Sequence, residues 1–433
     1  MADGRDQSMV HRVLMVGFHF PPSALSSGHL RLLAFTRYLP ESSWDPVVLS
    51  ATPRAYEHVD AGSVASIPNT CPVHRAFALD AKRHLGIGGR YPSMLAQPDR
   101  WASWRPAATW LGLRLIRRYR VKAIWSTYPI MSAHCIAHAL QRRTGLPWIA
   151  DFRDPVMTSM EGRSPMTARA LLRWEREVVE RATCSVFTTP GAMQWCAERY
   201  PDAAQNGRLA VIENGYDAAA FVDLPPAPRT PDRCPLVLVH SGLLYPEGRN
   251  PIPFFTALAR LRASGSIHAD NLRVVLRASG SEASYRHELQ RFGLEGLVNL
   301  APPVSGRDAL AEQAGADALL LFQGPKYDRQ IPAKVYEYMR VGRPIFALVG
   351  ERGDTASLLR EVGGAEIVSI DDVDAIEARL RAFIAALRAG STLYARHSGI
   401  AGHSRREGAV RLAKLLDRLV APDAVLRATT DNA

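Results

Sequence analysis

Short apolar runs alternate with amphipathic stretches along most of the chain. Runs such as VLMVGF (13–18), AIWST (123–127) and WIADF (148–152) are typical of buried strands, and segments with helical spacing of their apolar positions lie between such runs. Parallel strands joined by helices produce this alternation, because helices cover both faces of the sheet. The hydrophobic pattern therefore predicts an α/β protein with parallel sheets.

The alternation stops at a proline-rich polar stretch, DLPPAPRTPDRCP (223–235), and restarts with LVLVHSG (236–242). We predict an N-terminal domain over 1–222, a linker over 223–235 and a C-terminal domain over 236–405. A helix, which could cross back to the N-terminal domain, and a disordered tail are predicted over 406–433. Ligands of open parallel sheets bind at the carboxyl ends of the strands, so we expect a site in the cleft between the domains.

The chain carries a surplus of positive charge. Of its 433 residues, 53 are Lys or Arg and 42 are Asp or Glu, which gives a net charge of +11. This charge favours an acidic partner, such as a nucleotide, another phosphate compound or an anionic membrane surface. An arginine-rich composition that reflects a GC-rich genome is the alternative explanation. No nucleic-acid-binding motif accompanies the charge, so we predict no nucleic-acid partner.

Cysteine usage and apolar segments indicate the compartment. The five cysteines are odd in number and lack metal-site spacing, which favours a reducing environment without a zinc site or disulfide framework. No apolar segment is long enough for a signal peptide or a membrane span. We predict a cytoplasmic protein, held at most peripherally on the inner face of the cell membrane. The stretch 99–122 mixes Trp101, Trp104 and Trp110 with arginines, which suits either a membrane interface or an amphipathic helix packed on a sheet.

The stretch IPAKVYEYMRVGRPIFALVG (331–350) predicts a short helix followed by a buried strand. Pro332 suits the start of the helix and Gly342 its end. Lys334 and Glu337 are three residues apart and share a face of that helix. The helix N-terminus beside Lys334 suits a phosphate, and the Glu337 carboxylate could accept hydrogen bonds from the two hydroxyls of a ribose. A solvated surface ion pair is the alternative.

Two features of the N-terminal half are further candidates. The cluster DFRD ends a predicted strand and places Arg153 and Asp154 at the carboxyl edge of the sheet, facing a ligand or forming a structural ion pair. Gly28, at the start of a predicted helix, offers close backbone approach to a phosphate or an acceptor, although capping of the helix by a neighbouring serine would explain the stretch as well.

These stretches resemble the retaining glycosyltransferases of family four. PAKVYEYMRVGRPIFA is similar to the nucleotide-sugar signature of that family, and WIADFRDPV to a cluster of its polysaccharide- and glycolipid-associated branch. Three further family segments are similar to the stretches FHFPPSALSSGHLRLLAFTRYLP, VIENGYDAAAF and HSGLLYPEGRNPIPFFTAL. These stretches follow one another in the same order as the family's segments, from about residue 12 to about residue 415. The resemblance implies the GT-B fold, an α/β protein of two Rossmann-like domains facing a central cleft.

The resemblance also implies an activity. The N-terminal domain would bind a lipid-linked or small-molecule acceptor, and the C-terminal domain a nucleotide-diphosphate sugar, with a UDP-sugar favoured over a GDP-sugar. Transfer would proceed with retention, without a metal or another cofactor, in bacterial cell-surface polysaccharide or glycolipid synthesis. Arg153 and Asp154 are the predicted catalytic residues. The predicted donor-binding residues are Gly28, Arg31, Gly242, Arg249, Ser279, Gly280, Val304, Lys334 and Glu337.

Two positions depart from the family pattern. Leu243 replaces an arginine of the phosphate-binding pair, so Arg249 and Lys334 would carry more of the diphosphate. Arg329 replaces a glutamate that meets the donor sugar, where the adjacent Asp328 could partly substitute. These departures leave two alternatives open. One is a non-catalytic sugar-nucleotide-binding or membrane-associated assembly subunit of the same fold, and the other is a nucleotide-sugar epimerase.

Overall fold

The computed structural model describes residues 10–24, 28–86, 91, 93–160, 162–222, 224, 234–391 and 399–421. They form two compact units. The first runs to Glu213 and resumes at Arg405, and the second spans Asn214–Ser404. Most of the predicted linker and the predicted tail after residue 421 lie outside the described residues.

The first unit is built on a parallel sheet between layers of helices. Its strands are β1 (His11–Val16), β2 (Trp44–Ala51), β3 (Val73–Ala76), β4 (Ala123–Thr127), β5 (Trp148–Phe152), β6 (Cys184–Phe187) and β7 (Leu209–Val211), in the spatial order β3-β2-β1-β4-β5-β6-β7. The helices that connect them are α1 (Gly28–Tyr38), α2 (Ala81–His84), α3 (Trp104–Tyr119), α4 (Met131–Thr144), α5 (Pro165–Arg181), α6 (Pro190–Arg199) and α7 (Pro201–Gln205).

The second unit repeats this plan with a smaller sheet. Its strands are β8 (Leu236–Ser241), β9 (Leu272–Arg277), β10 (Val298–Ala301), β11 (Ala318–Gln323), β12 (Ile345–Val349) and β13 (Ala365–Ser369), in the spatial order β10-β9-β8-β11-β12-β13. Its helices are α8 (Ile252–Ala263), α9 (Glu282–Arg291), α10 (Gly306–Gly315), α11 (Ala333–Val341), α12 (Asp354–Val362) and α13 (Val373–Arg388). Single 3₁₀ turns lie at Leu39–Ser42, Pro53–Ala55, Ala61–Ser66, Ser93–Ala96, Val156–Ser159, Ala218–Phe221, Pro325–Tyr327 and Ile400–His403.

The last helix, α14 (Arg405–Val420), belongs to the first unit and packs on α1. Leu412 and Leu416 join the apolar cluster of Leu32 and Phe35. The Asp417 carboxylate also accepts a hydrogen bond from the Trp44 indole nitrogen at 2.7 Å. The apolar face of α14 is therefore buried against the first unit.

Both faces of each sheet are buried, because successive side chains of a strand point to opposite faces. Leu14 of β1 packs into one apolar cluster and Met15 into another. Leu320 and Leu321 of β11 divide in the same way. Such strands read as continuous apolar runs, which is why the sequence pattern predicted them.

The strand order places two candidate ligand sites. In the first unit β1 lies between β2 and β4, and in the second unit β8 lies between β9 and β11. At these points the strand order reverses, so the loops after the two strands diverge to opposite faces of the sheet and leave a crevice. The residues directly after β1 and β8 therefore lie where open parallel sheets bind their ligands.

Candidate functional site

The turn after β8 holds a lysine that comes from α11. Lys334 lies in the first turn of α11, and its Nζ donates a hydrogen bond to the Ser241 carbonyl at 2.5 Å. Gly242 follows with φ +113°, a conformation that favours glycine, and a Cβ added there would lie 2.7 Å from Nζ. The glycine turn therefore provides the space that Lys334 occupies.

The charge of Lys334 is finely balanced. Burial and the positive charge of Arg249 lower the pKa of Lys334 from 10.5 to about 7, and the Glu337 carboxylate acts in the opposite direction. His240 lies beneath it with Nε2 3.5 Å from Nζ, and burial together with the lysine charge lowers the pKa of His240 well below its usual value. An anion that reaches Lys334 would restore its full charge.

Arg249 supplies a second cation to the same place. Its Nη1 donates to the Leu243 carbonyl at 3.4 Å, and its guanidinium lies 5.3 Å from the centre of the Tyr245 ring. Its buried Nε has no hydrogen-bond partner among the described residues. Arg249 and Lys334 thus bond carbonyls two residues apart, those of Leu243 and Ser241, and the Arg249 charge lowers the pKa of Lys334. A diphosphate beside them would relieve this repulsion and bond the unused donor.

The α11 helix completes this group. The residue that precedes it, Pro332, offers no side-chain cap to its first N–H groups, and uncapped helix N-termini attract anions. Glu337 is half-buried one turn further on, and its three-residue spacing from Lys334 places the two on one face of the helix. The Tyr338 hydroxyl accepts a hydrogen bond from the Ser241 N–H at 3.0 Å and fastens the helix to β8. Gly342, with φ +76°, ends the helix as predicted.

A second glycine turn, after β9, adjoins the first. Gly280 has φ +67°, and a Cβ added there would lie 3.0 Å from the Leu243 side chain. Ser279 is buried, and its carbonyl accepts a hydrogen bond from the Leu244 N–H at 2.9 Å. Val304, after β10, is 43% exposed. The structure thus joins Ser279 and Gly280 to the Gly242 turn, and it places Val304 on the surface after the neighbouring strand.

The two departures from the family pattern lie on the surface of this unit. Leu243 is 58% exposed, and Arg329 is exposed in the loop before α11. Asp328 faces the start of α12, where a Cβ on Gly353 would lie 2.7 Å from its Oδ1. Burial and the nearby Asp354 charge raise the pKa of Asp328. This position gives Asp328 a structural role beside α12.

In the first unit the structure brings Gly28 and Arg153 together. A Cβ on Gly28, the first residue of α1, would lie 2.0 Å from the Arg153 Nη1, so only glycine leaves room for the guanidinium. Asp154 is 3.4 Å from Arg153 Nη2, and the Thr188 hydroxyl donates to the Arg153 carbonyl at 2.9 Å. A cation held at a helix N-terminus adds to the positive potential there and favours an anionic or polar ligand.

Arg31 has a structural role in this unit. Its guanidinium donates to both carboxylate oxygens of Asp151, at 2.9 Å for Nη2–Oδ1 and 3.2 Å for Nε–Oδ2, and Asp151 is fully buried. It also donates to the carbonyls of Ile212 and Glu213, each at 2.8 Å. The donor contact of Arg31 stays a prediction, and it would require this buried pair to open.

The tryptophans of the stretch 99–122 separate into three environments. Trp104 is fully buried in the core, Trp101 is half-buried, and Trp110 is 60% exposed with the Arg114 guanidinium 4.7 Å from its ring. This stretch is therefore mainly an amphipathic helix on the sheet, with one exposed tryptophan on its basic face.

Two kinds of feature are absent from the described residues. None of the helices within them is both long and apolar enough to cross a bilayer. Over the same residues, no group of three or more His, Cys, Asp and Glu side chains is arranged to hold a metal ion.

Sequence reasoning missed His240 and the residues around His19. The available signal was a polar residue at the end of a buried strand, in LVLVHS and directly after VLMVGF. Such residues stand at the carboxyl edge of a parallel sheet, where ligands bind.

Residues 28–215 match the family described as the glycosyl transferase 4-like domain. The first unit therefore resembles a glycosyltransferase domain. The comparison with curated proteins finds no match.

Several solved structures resemble nearly the whole chain. Sucrose-phosphate synthase from Thermosynechococcus elongatus has a TM-score of 0.63 at 14% identity, with 95% of this chain and 100% of that chain covered. Anabaena HepE in complex with UDP has a TM-score of 0.64 at 14% identity, with 94% and 100% covered. Trehalose 6-phosphate synthase from Burkholderia multivorans has a TM-score of 0.61 at 14% identity, with 98% and 99% covered. The predicted fold class, α/β of the GT-B type with two Rossmann-like domains, is confirmed.

Proposed function

We propose that the protein is a retaining glycosyltransferase that uses a nucleotide-diphosphate sugar. The observation that carries this proposal is the pair of cations, Lys334 and Arg249, that meet at the carboxyl end of β8 beside the N-terminus of α11. The match of residues 28–215 to a glycosyl transferase 4-like domain supports it. The positive groups would bind the diphosphate, and Glu337, on the same helix face, would bind the ribose hydroxyls.

We propose UDP as the nucleotide of the donor. HepE, which shares the fold, has been solved in complex with UDP and with UDP-glucose. The turn at Gly280 follows β9, the neighbour of β8, and the exposed Val304 side chain follows β10, the next strand out, so a nucleoside joined to the diphosphate would extend toward them.

The proposed reaction needs stabilisation of a leaving diphosphate. The bond between the anomeric carbon of the sugar and the phosphate oxygen breaks, and the acceptor oxygen forms a new bond to that carbon on the same face. The acceptor proton passes to the leaving phosphate oxygen, so no protein nucleophile is required. Lys334, Arg249 and the α11 N–H groups would stabilise the developing negative charge without a metal. Arg153 and Asp154 would contact the transferred sugar or the acceptor.

We propose a lipid-linked or small-molecule acceptor in bacterial cell-surface polysaccharide or glycolipid synthesis. The net charge of +11 and the exposed Trp110 with its neighbouring arginines support a peripheral position on the inner face of the cell membrane.

A second candidate is a non-catalytic sugar-nucleotide-binding subunit. It is favoured by Leu243, which leaves one cation fewer for the diphosphate, and by Arg329, which removes a carboxylate from the sugar side. Such a protein would bind the nucleotide and would not break the sugar–phosphate bond.

The test begins with thermal-shift binding of the full chain to UDP, GDP, ADP and TDP, with and without magnesium. A shift by UDP that does not need magnesium, followed by slow hydrolysis of UDP-glucose, is expected. Glu337→Ala should lose the shift, and Glu351→Ala, an exposed glutamate of the same unit, should keep it. Binding without hydrolysis or transfer would favour the subunit. No shift with any nucleotide would overturn the donor site.

A further inference from the structure

The first unit contains an aromatic cavity at the carboxyl end of β1, with a volume of about 220 Å³. Phe18 and His19, which follow β1, form one wall, and Tyr56 and Trp101 form others. The cavity lies at the strand-order reversal of the first sheet, between β2 and β4. None of these residues is part of the site predicted from the sequence.

The walls are flat rings in fixed contact. His19 stacks on Tyr56 with ring centres 6.3 Å apart and planes 26° apart, and Phe18 packs on Trp101 at 4.8 Å. The buried indole nitrogen of Trp101 has no hydrogen-bond partner among the described residues. The cavity thus offers aromatic side chains to apolar C–H groups.

The rim of the cavity is polar and carries both signs of charge. Glu57 and Arg100 form an ion pair at 2.8 Å, with side chains 33% and 21% exposed. Arg100 also lies 4.3 Å from the Trp101 ring centre, and its Nε is 3.5 Å from the buried Asp80. A guanidinium beside a carboxylate presents donors and acceptors side by side, which matches the adjacent hydroxyls of a sugar ring.

The wall that holds Trp101 is rigid before any ligand arrives. Buried Asp99 accepts hydrogen bonds from the Trp101 N–H at 3.0 Å and from the Ser132 N–H at 2.7 Å. These bonds tie the tryptophan loop to the start of α4. A preformed wall reduces the entropy lost when a ligand binds.

Charge and size limit the ligand. Burial and the nearby charges of Arg153, His29 and Arg100 lower the pKa of His19 to about 4, so the ring is neutral near pH 7. With Arg100 paired to Glu57, no single sign of charge dominates. The volume is below the roughly 300–1,000 Å³ of sites for drug-sized ligands, so one ring fits and a longer saccharide does not.

We propose that this cavity binds one uncharged pyranose ring of the acceptor, packed on Trp101 and hydrogen-bonded by Arg100 and Glu57. The assignment of that ring to an acceptor rests on the proposed glycosyltransferase function. His19 follows β1 and Arg153, a predicted catalytic residue, follows β5, so both lie at the carboxyl edge of the first sheet, where transfer is proposed to occur.

The test measures binding of three uncharged glycosides to the full chain by saturation-transfer NMR, without nucleotide. The glycosides are methyl α-glucopyranoside, methyl α-mannopyranoside and methyl α-galactopyranoside. The variants are Trp101→Ala and Glu57→Gln, and the matched control is Trp110→Ala, an exposed tryptophan of the same unit. Methyl α-glucuronide serves as the charged probe. Because Trp101→Ala could impair folding, its unfolding midpoint is measured, and Glu57→Gln on the rim provides an independent arm.

At least one uncharged glycoside should bind saturably, and both variants should weaken that binding at least tenfold while Trp110→Ala leaves it unchanged. Failure of all three glycosides, equal binding by the folded variants, or tighter binding of the glucuronide would overturn the proposal. Nucleotide binding is measured separately. A protein that binds UDP but no glycoside would support the proposed donor site and overturn the proposed pyranose site. The reverse result would leave a sugar-binding cavity without the proposed activity.

Discussion

Lys334→Met should abolish most of the affinity for UDP-glucose. The ammonium lies in the Gly242 turn with Arg249 and Glu337 around it, and its hydrogen bond to a diphosphate would be charge-assisted. A hydrogen bond to a charged group contributes about 1.5–3 kcal/mol. This energy corresponds to a loss of affinity between about tenfold and about 150-fold.

The same substitution should stabilise the unliganded protein at low pH. The pKa of Lys334 falls from 10.5 to about 7 on folding, so between these values the unfolded chain holds a proton that the folded protein lacks. Stability therefore rises with pH across this window, and the cost of charging the buried lysine is fully present below pH 7. At about 1.4 kcal/mol per pKa unit, that cost reaches about 5 kcal/mol. Lys334→Met should gain most at pH 6 and much less at pH 9.

The assay is titration calorimetry of UDP-glucose at pH 6.5 and pH 8.5 in buffers with different protonation enthalpies. The esterified diphosphate has no second ionisation near neutral pH, so proton uptake reports on the protein. Wild type should take up a proton at pH 8.5, because the diphosphate would raise the pKa of Lys334, which lies among Arg249, His240 and Glu337. Lys414→Met, which removes an exposed lysine of α14, is the control and should behave as wild type.

Three results would refute this reasoning. The first is a folded Lys334→Met protein that binds UDP-glucose within twofold of wild type. The second is a wild-type binding heat that does not depend on the buffer at pH 8.5. The third is a Lys334→Met protein less stable than wild type at pH 6, which would show that the buried ammonium is compensated in the folded state.

Three further variants separate binding, folding and transfer. Glu337→Ala should raise the dissociation constant for UDP-glucose at least tenfold, about 1.4 kcal/mol, in calorimetry, and an unchanged constant would remove Glu337 from the donor site. Arg31→Met should cost about 3–5 kcal/mol in urea unfolding because it leaves Asp151 charged and buried, with the Thr127 hydroxyl but without its cation, and a loss below about 1 kcal/mol would contradict that role. Gly28→Ala should displace the Arg153 guanidinium and reduce transfer, whereas wild-type transfer would show that this packing is dispensable.

Burial explains which elements could be predicted from the sequence. The strands β4 and β5 were predicted with their observed bounds, because they are central and buried on both faces. The strands β3 and β13 were missed. They lie at the edges of their sheets, and most of their side chains are only partly buried, so their apolar signal is weak.

The candidate site also contains some relations that the sequence predicts and others that it does not. Lys334 and Glu337 belong to one helix, which Gly342 ends, and helical spacing relates them without knowledge of the rest of the fold. The contact of Lys334 with the turn after β8 joins residues 93 positions apart, and helical periodicity carries no information about such a partner.

The sequence by itself determined two α/β halves, the helix at 333–341 and the residue types suited to a phosphate site. The tertiary structure decided how those types are used. Arg31 was predicted to bind the donor, and the structure pairs it with Asp151, 120 positions away. The cavity of His19 and Trp101 is assembled from separate segments of the first unit. Apolar periodicity reports which face of an element is buried, whereas the partner of a charge depends on which elements pack together.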